Sequence, residues 1–116
     1  MGRRVVDRGQ YRGWNVPSSY TLSLYGGTVE KWEAILDRQQ GVCAICETVP
    51  TTGRGEMDHE HVPGWRALAP EERWSHVRGI LCMRCNKFYM VRGITPERAA
   101  NIVKYLTSHR YRQGRA

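Results

Sequence analysis

Apolar residues recur at helical spacing in the segment from residue 28 to residue 41. The apolar positions are Val29, Trp32, Ile35 and Leu36, which fall on one face of an α-helix. Thr28 stands where an N-cap would accept a backbone hydrogen bond, and Gly41 stands where the helix would end. The pattern predicts an amphipathic helix here, with Trp32, Ile35 and Leu36 packed in the core.

A second amphipathic pattern lies near the end of the chain. Thr95 is placed as a cap, and Pro96 falls at the first helical position, where its missing N–H group costs no hydrogen bond. The apolar residues of one face are Ala99, Ile102, Val103 and Leu106. We predict a helix that reaches residue 106, followed by a basic tail over residues 107–116.

The segments between these helices carry shorter patterns. Val77–Cys82, "VRGILC", is apolar and β-branched, which is typical of a strand, and Met57–His61, "MDHEH", is expected to form a second short strand. Residues 62–76 contain proline and glycine and are predicted to form a long loop. Residues 86–90, "NKFYM", are predicted to form a short helix.

Residues 1–27 mix Arg, Gly, Ser and aromatic residues without a sustained period. We predict an irregular arm that is docked through its aromatic side chains. The total length of 116 residues fits one ordinary domain. The expected organisation is therefore an arm over 1–27, one domain over 28–106 and a tail over 107–116.

The chain has a formal charge of +7, and the excess is concentrated at its two ends. The basic residues of the arm are Arg3, Arg4, Arg8 and Arg12, and those of the tail are Arg110, Arg112 and Arg115. Such a balance favours a polyanionic partner such as DNA. The alternative is that both arginine-rich ends are simply solvated.

The sequence contains neither the apolar run of a signal peptide nor the ~20 apolar residues that span a bilayer. We therefore expect a cytoplasmic protein without a membrane partner. In that reducing compartment the four cysteines are not expected to form disulfides.

The cysteines form two pairs with the two-residue gap that is typical of metal sites: Cys43/Cys46 and Cys82/Cys85. Four thiolates complete the tetrahedral shell of a structural zinc ion. A small domain benefits from such a staple, because it buries a small share of its surface. In an alternative scheme, a histidine replaces one cysteine on zinc; the candidates are His59, His61 and His76.

If sulfur saturates the zinc, the acid and imidazole groups of "MDHEH" are free for a different role. The oxygen atoms of Asp58 and of the Asn86 amide suit a hard cation, magnesium or manganese. Asn86 directly follows Cys85. A shared zinc would fold its helix back beside the strand that carries Asp58, so one cleft would hold a carboxylate, an imidazole and an amide.

The order "GVCAIC", "DHEH" and "VRGILCMRCN" resembles the recombination endonuclease VII group within the HNH, or ββα-metal, nucleases. The resemblance covers roughly residues 25–86 and continues more weakly through the final helix. It implies an α+β fold, in which a small zinc-stapled ββα-metal core is flanked by helices. It also implies a phage recombination setting, hence the host cytoplasm.

The resemblance further assigns roles to individual residues. It implies that Asp58 and Asn86 hold magnesium, that His59 is the general base, and that His61 contacts the metal or the scissile phosphate. Neutral imidazole can accept a proton from water near neutral pH. The loop over 62–76 is longer than in the shorter relatives, so its Trp65 and Trp74 are expected to shape substrate fit.

The resulting hypothesis is a magnesium-dependent endonuclease that cuts branched DNA such as Holliday junctions, and a homodimer would supply one reaction site for each of the two cuts. Arg78 and Lys87 join the arginines of the arm as expected DNA contacts. One alternative is an HNH nicking endonuclease that acts as a monomer without selecting branched DNA. Another is a zinc-stapled DNA-binding module without catalysis, in which "DHEH" merely lies on a strand.

Overall fold

The computed structural model describes the backbone of residues 9–91 and 93–112, with side chains up to residue 108. Its elements, in chain order, are β1 (Gln10–Tyr11), β2 (Trp14–Asn15), α1 (Ser19–Leu24), α2 (Val29–Arg38), β3 (Gly55–His59), a 3-10 helix (Trp65–Ala67), α3 (Pro70–Ser75), β4 (Val77–Cys82), α4 (Met83–Phe88) and α5 (Pro96–Arg112). Within the described residues, β1 pairs with β2, and β3 pairs with β4. Helices and small antiparallel sheets confirm the α+β class.

The centre of the domain is a ββα unit made of β3, β4 and α4. The strands are antiparallel, with Met57 opposite Ile80, and both side chains are buried. β3 begins at Gly55, earlier than predicted, whereas β4 has the predicted bounds. α4 follows β4 without a linker because the Cys82 sulfur accepts the backbone N–H of Cys85, as an N-cap does.

A β-bulge interrupts the pairing at the end of β3. Asp58 lies opposite Gly79, but the next residue, His59, lies opposite Val77, so Arg78 is the extra residue of β4. A bulge bends its strand and redirects the side chains beside it. The side chain of Arg78 thereby reaches Asp58.

α2 supplies one wall of the core, as the sequence predicts. The Thr28 hydroxyl caps the helix by accepting the Lys31 N–H at 3.2 Å. Trp32, Ile35 and Leu36 are all buried, which confirms the predicted core face. Removing such side chains from water contributes roughly 1.5–3 kcal/mol each.

The side chain of Gln39, at the end of α2, bonds to the backbone of β4. Its Oε1 accepts the N–H of Ile80 at 2.8 Å, and its Nε2 donates to the Ile80 carbonyl at 3.0 Å and to the Val42 carbonyl at 2.8 Å. A Cβ atom on Gly79 would lie 2.9 Å from Gln39 Oε1, so glycine leaves room for this approach. The amide thus satisfies the edge of β4 that faces away from β3.

The prediction of an irregular arm over 1–27 is wrong for the part of it that the structure describes. β1 and β2 form a hairpin, and α1 follows. Trp14 is fully buried, and its indole N–H donates to the Gly41 carbonyl at 2.8 Å. Two-residue strands are too short to show a period, and contacts distant in sequence fix them. The docking through aromatic residues is confirmed for Trp14, whereas Tyr20 is exposed.

The prediction of a plain loop over 62–76 is also wrong, because this segment contains the 3-10 helix and α3. α3 has the helix signals of Pro70 at its start and acidic residues in its first turn. Trp74 packs against Gly27, where a Cβ atom would collide with the indole ring. Glycine at that turn therefore lets α3 dock beside α1.

α5 begins as predicted, since the Thr95 hydroxyl accepts the N–H of Arg98 at 3.1 Å. Its backbone continues to Arg112, into the segment predicted as a tail. Ile102, Val103 and Leu106 are 48%, 64% and 59% exposed, so the apolar stripe has no cover among the described residues. None of the described helices combines the length and apolar character that crossing a bilayer requires.

Candidate functional site

The four cysteines converge on one point. Their sulfur atoms all lie within 4.8 Å of one another. Cys43 follows α2, Cys82 ends β4 and Cys85 lies on α4, so the cluster joins three parts of the core. Of the residues whose side chains are described, no histidine belongs to this cluster. The geometry and the soft sulfur donors fit a zinc ion.

The thiols of the cluster differ in acidity. A hydrogen bond with the Thr48 hydroxyl, 3.1 Å away, is the main cause that lowers the pKa of Cys46 to about 6. Burial raises the pKa of Cys85 to about 12. Since a metal binds thiolates, its binding must displace the Cys85 proton, whereas the exposed Cys46 thiol ionises easily.

Asp58 is a buried carboxylate on β3, 8% exposed. Arg78 donates to both of its oxygens, with Nε 2.8 Å from Oδ2 and Nη2 3.1 Å from Oδ1. This paired geometry compensates the cost of burying the charge. Each carboxylate oxygen has a second lone pair. Asp58 can therefore accept the arginine and still offer an oxygen to a cation.

His59, the next residue along β3, is enclosed by rings. Trp65 stacks on its imidazole with 4.1 Å between centroids, and His61 lies 4.9 Å away. The Tyr25 ring stands at 77° to that of His59, with 5.7 Å between their centroids. Burial lowers the pKa of His59, and the nearby His61 lowers it further. The side chain is therefore neutral at neutral pH, which is the state of a proton acceptor.

Beyond His59, the ends of the two strands are tied together. The Glu60 N–H donates to the His76 carbonyl at 2.9 Å, and Glu60 Oε1 lies 2.9 Å from Nδ1 of His76. This hydrogen bond is the main cause that lowers the pKa of Glu60. Sequence patterns do not predict the pair of Glu60 and His76, since it depends on the position of α3.

A cleft of about 940 Å³ opens beside His59. The aromatic, imidazole and arginine side chains that line it are those of Tyr25, His59, His61, Trp65, Arg66 and Arg73. His59 and His61 therefore face one space, as expected from "DHEH". Trp65 contacts His59 directly. From the sequence we expected Trp65 only to shape the fit of the substrate. The arginine side chains give the cleft a positive character that suits an anionic ligand.

Asn86 lies half-buried on α4, the helix of the ββα unit. α4 contacts β3, the strand of Asp58, as the shared cysteine cluster predicts. The two side chains share no hydrogen bond. The structure therefore brings together the two elements that carry Asp58 and Asn86.

The expected DNA contacts have different surroundings. Arg3, Arg4 and Arg8 lie outside the described residues. Arg12 pairs with Asp37 at 3.0 Å, and Arg78 pairs with Asp58. Lys87 is exposed, lies 5.6 Å from the centre of the Phe88 ring, and lines a cleft of about 660 Å³ beside the cysteines. Two further cations line that cleft, Arg54 and Arg84.

Comparison with known proteins gives the following similarities. A family model described as recombination endonuclease VII matches residues 18–108. The Gene 59 protein of Mycobacterium phage D29 is 36% identical over 70 residues, which is 60% of this chain and 36% of that protein. The chain thus spans about a third of the length of this relative. No solved structure matches.

Proposed function

Because the chain belongs to the recombination endonuclease VII family, we propose that it is a metal-dependent DNA endonuclease of the HNH type that cuts branched DNA such as four-way junctions. The family supports a nuclease that acts on DNA. The observation that carries the proposal further is the adjacent pair of Asp58 and His59 at the bulged end of β3, beside α4. A hard-cation ligand and a neutral imidazole next to each other suit phosphodiester hydrolysis.

In this proposal, Asp58 and Asn86 hold magnesium or manganese, since carboxylate and amide oxygens are the donors that such cations prefer. The ion would stabilise charge on the phosphoryl oxygens and on the leaving 3′ oxygen. His59 takes the proton from the attacking water. His61, exposed at the same cleft, contacts the scissile phosphate.

The four cysteines hold a structural zinc ion. The ion would tie Cys43, after α2, to Cys82 and Cys85 at the junction of β4 and α4. It thereby keeps the helix of Asn86 against the strand of Asp58. The zinc stabilises the fold and takes no part in the cleavage.

DNA binding relies on phosphate contacts from the basic surface. The net charge is +7, and Arg66 at the reaction cleft and Lys87 beside the cysteines are exposed. The arginines of the N-terminal segment contribute to this positive charge. Affinity that comes from phosphate contacts falls with rising salt concentration.

We also propose that two copies associate through α5. Ile102, Val103 and Leu106 form an exposed apolar stripe on this helix. A self-complementary stripe favours a two-fold dimer, and a dimer presents two reaction clefts to the two strands that must be cut in a junction. A monomeric nicking enzyme would leave the stripe without a role.

The decisive experiment compares cleavage of a four-way junction and of a linear duplex with the same sequence, in magnesium. We expect faster cleavage of the junction, and His59→Ala should abolish cleavage while keeping zinc content and DNA affinity. Equal rates on both substrates would contradict branch selectivity. If the wild-type protein binds DNA and its cleavage does not exceed that of His59→Ala, the chain is a DNA-binding module.

A further inference from the structure

Trp65 forms the closest ring contact of His59. The two rings are 21° from parallel, with centroids 4.1 Å apart. Tyr25 completes the group in edge-to-face geometry, with its ring centroid 5.7 Å from that of His59 and 5.6 Å from that of Trp65. Such edge and stacked arrangements are the favoured geometries of aromatic pairs. The plane of the imidazole is therefore set by its neighbours.

Within the described part of the chain, no hydrogen bond to the imidazole performs that task. Neither ring nitrogen of His59 has a hydrogen-bond partner among the described residues, whereas Nδ1 of His76 is paired with Glu60. In many sites the second nitrogen of a histidine is bonded to an acceptor, which fixes the orientation of the ring. For His59 the rings of Trp65, His61 and Tyr25 are the contacts that remain.

Trp65 is held in place independently of His59. Its indole N–H donates to the Arg73 carbonyl at 3.1 Å. The Arg73 guanidinium in turn donates to the Leu68 carbonyl at 2.7 Å and to the Ser23 carbonyl at 3.2 Å, so it links the segment to α1. The indole is thus held by a hydrogen bond of its own while its ring face stacks on the imidazole.

We propose that Trp65 is a positioning residue for His59, which orients the imidazole at the reaction cleft by stacking on it. The inference rests on the proposed role of His59 as general base. A general base must be held close to its productive geometry, and a displacement of about 1 Å can lower a rate by roughly 10²-fold. Trp65 acts through His59 and does not itself move a proton.

The test compares Trp65→Ala with Trp65→Phe, which keeps an aromatic face for the stack. On junction DNA with magnesium, Trp65→Ala should lower kcat by roughly tenfold or more and leave KM and DNA affinity unchanged. Trp65→Phe should restore most of the loss. Tyr20→Ala is the control, since this aromatic side chain is exposed and is not part of the lining of the cleft beside His59, and it should keep the wild-type kcat.

A second measurement does not depend on cleavage. In the stack, the ring current of the indole should shift the carbon-bound imidazole protons of His59 upfield in NMR spectra of the DNA-free, zinc-loaded protein. Trp65→Ala should remove this shift, and Trp65→Phe should keep part of it. If the wild-type protein cleaves no DNA, the proposed function fails while this test of the stack still stands.

Two results would overturn the positioning role. Wild-type kcat in a folded Trp65→Ala protein would show that the stack is dispensable. Loss of DNA affinity with unchanged kcat would show that Trp65 contacts the substrate. Circular dichroism and urea unfolding of each variant identify a folding defect, and Trp65→Phe then carries the comparison.

Discussion

Arg78 donates to both carboxylate oxygens of Asp58, from the extra residue of a β-bulge. The arginine therefore fixes the direction of the carboxylate that we propose as a metal ligand. Because Asp58 is buried, loss of this partner would leave its charge uncompensated. Arg78 thus stabilises the fold and also orients the site, in addition to any contact with DNA.

We expect Arg78→Gln to lower the free energy of unfolding by roughly 1–2 kcal/mol, since the arginine itself is partly exposed. Arg78→Lys should recover little, because an ammonium group cannot donate in the same planar fork. Urea denaturation of the zinc-loaded proteins measures both effects. A double-mutant cycle with Asp58→Asn should give a coupling energy, and strictly additive losses would contradict a direct interaction.

After zinc is removed, Cys46 should be the first of the four thiols to react. With a pKa lowered to about 6 and an exposed sulfur, this thiol should react with iodoacetamide at pH 7 before Cys85, whose pKa is raised to about 12. Mass spectrometry of peptides after brief chelation measures the order. Thr48→Val is the matched control, because it removes the main cause of the lowered pKa and should slow Cys46. Equal reactivity of all four thiols would contradict the prediction.

The protein should keep its DNA cleavage activity in mildly acid solution. Burial lowers the pKa of His59, so the neutral, proton-accepting form persists below the ordinary histidine value of about 6.5. As pH falls further, His59 becomes protonated and kcat should fall. Single-turnover cleavage in magnesium from pH 5 to pH 8 tests this. A midpoint clearly above that value would contradict the prediction.

Gln39 should contribute to stability well beyond a surface glutamine. Gln39→Leu leaves the N–H and carbonyl groups of Ile80 without this partner, at an expected cost of roughly 1–3 kcal/mol. Gln39→Glu keeps the acceptor but turns a carboxylate oxygen towards the carbonyl oxygens of Ile80 and Val42, so its loss should be at least as large. The midpoint of urea unfolding measures the series. A Gln39→Leu protein as stable as the wild type would show that water replaces the amide.

Association through α5 makes a separate prediction. Leu106→Glu places a charge in the apolar stripe and should convert a dimer into a monomer, whereas Lys104→Glu changes charge on the same helix and should not. Sedimentation equilibrium in the presence of zinc measures the mass. A wild-type protein that is monomeric at high concentration would contradict the dimer.

The sequence predicts the elements whose apolar positions repeat over several turns. α2, with Trp32, Ile35 and Leu36, and the start of α5 at Pro96 are confirmed because caps and periodicity act locally. β4 is predicted because β-branched and apolar residues are concentrated in it. The hairpin that buries Trp14 is missed, since its strands are too short for a pattern.

Some features of the candidate site are predicted from the sequence, and others depend on tertiary packing. The convergence of the cysteines is predicted from their spacing. Asp58 and His59 are adjacent because they are consecutive in the sequence. The pairing of Arg78 with Asp58 depends on a bulge, and the stack of Trp65 on His59 depends on how α3 docks at Gly27. Such contacts arise from tertiary packing, for which a single sequence carries no local signal.

Cys82 ends β4, caps α4 and contributes one sulfur to the cluster. β4 ends at Cys82 and α4 begins at the next residue, so no loop lies between the strand, the cysteine and the helix. Oxidation of that one atom would break the ligand set and loosen the first turn of the helix that carries Asn86. Chemical damage at the cysteine cluster would therefore be transmitted along one short helix to Asn86, which we propose as a metal ligand.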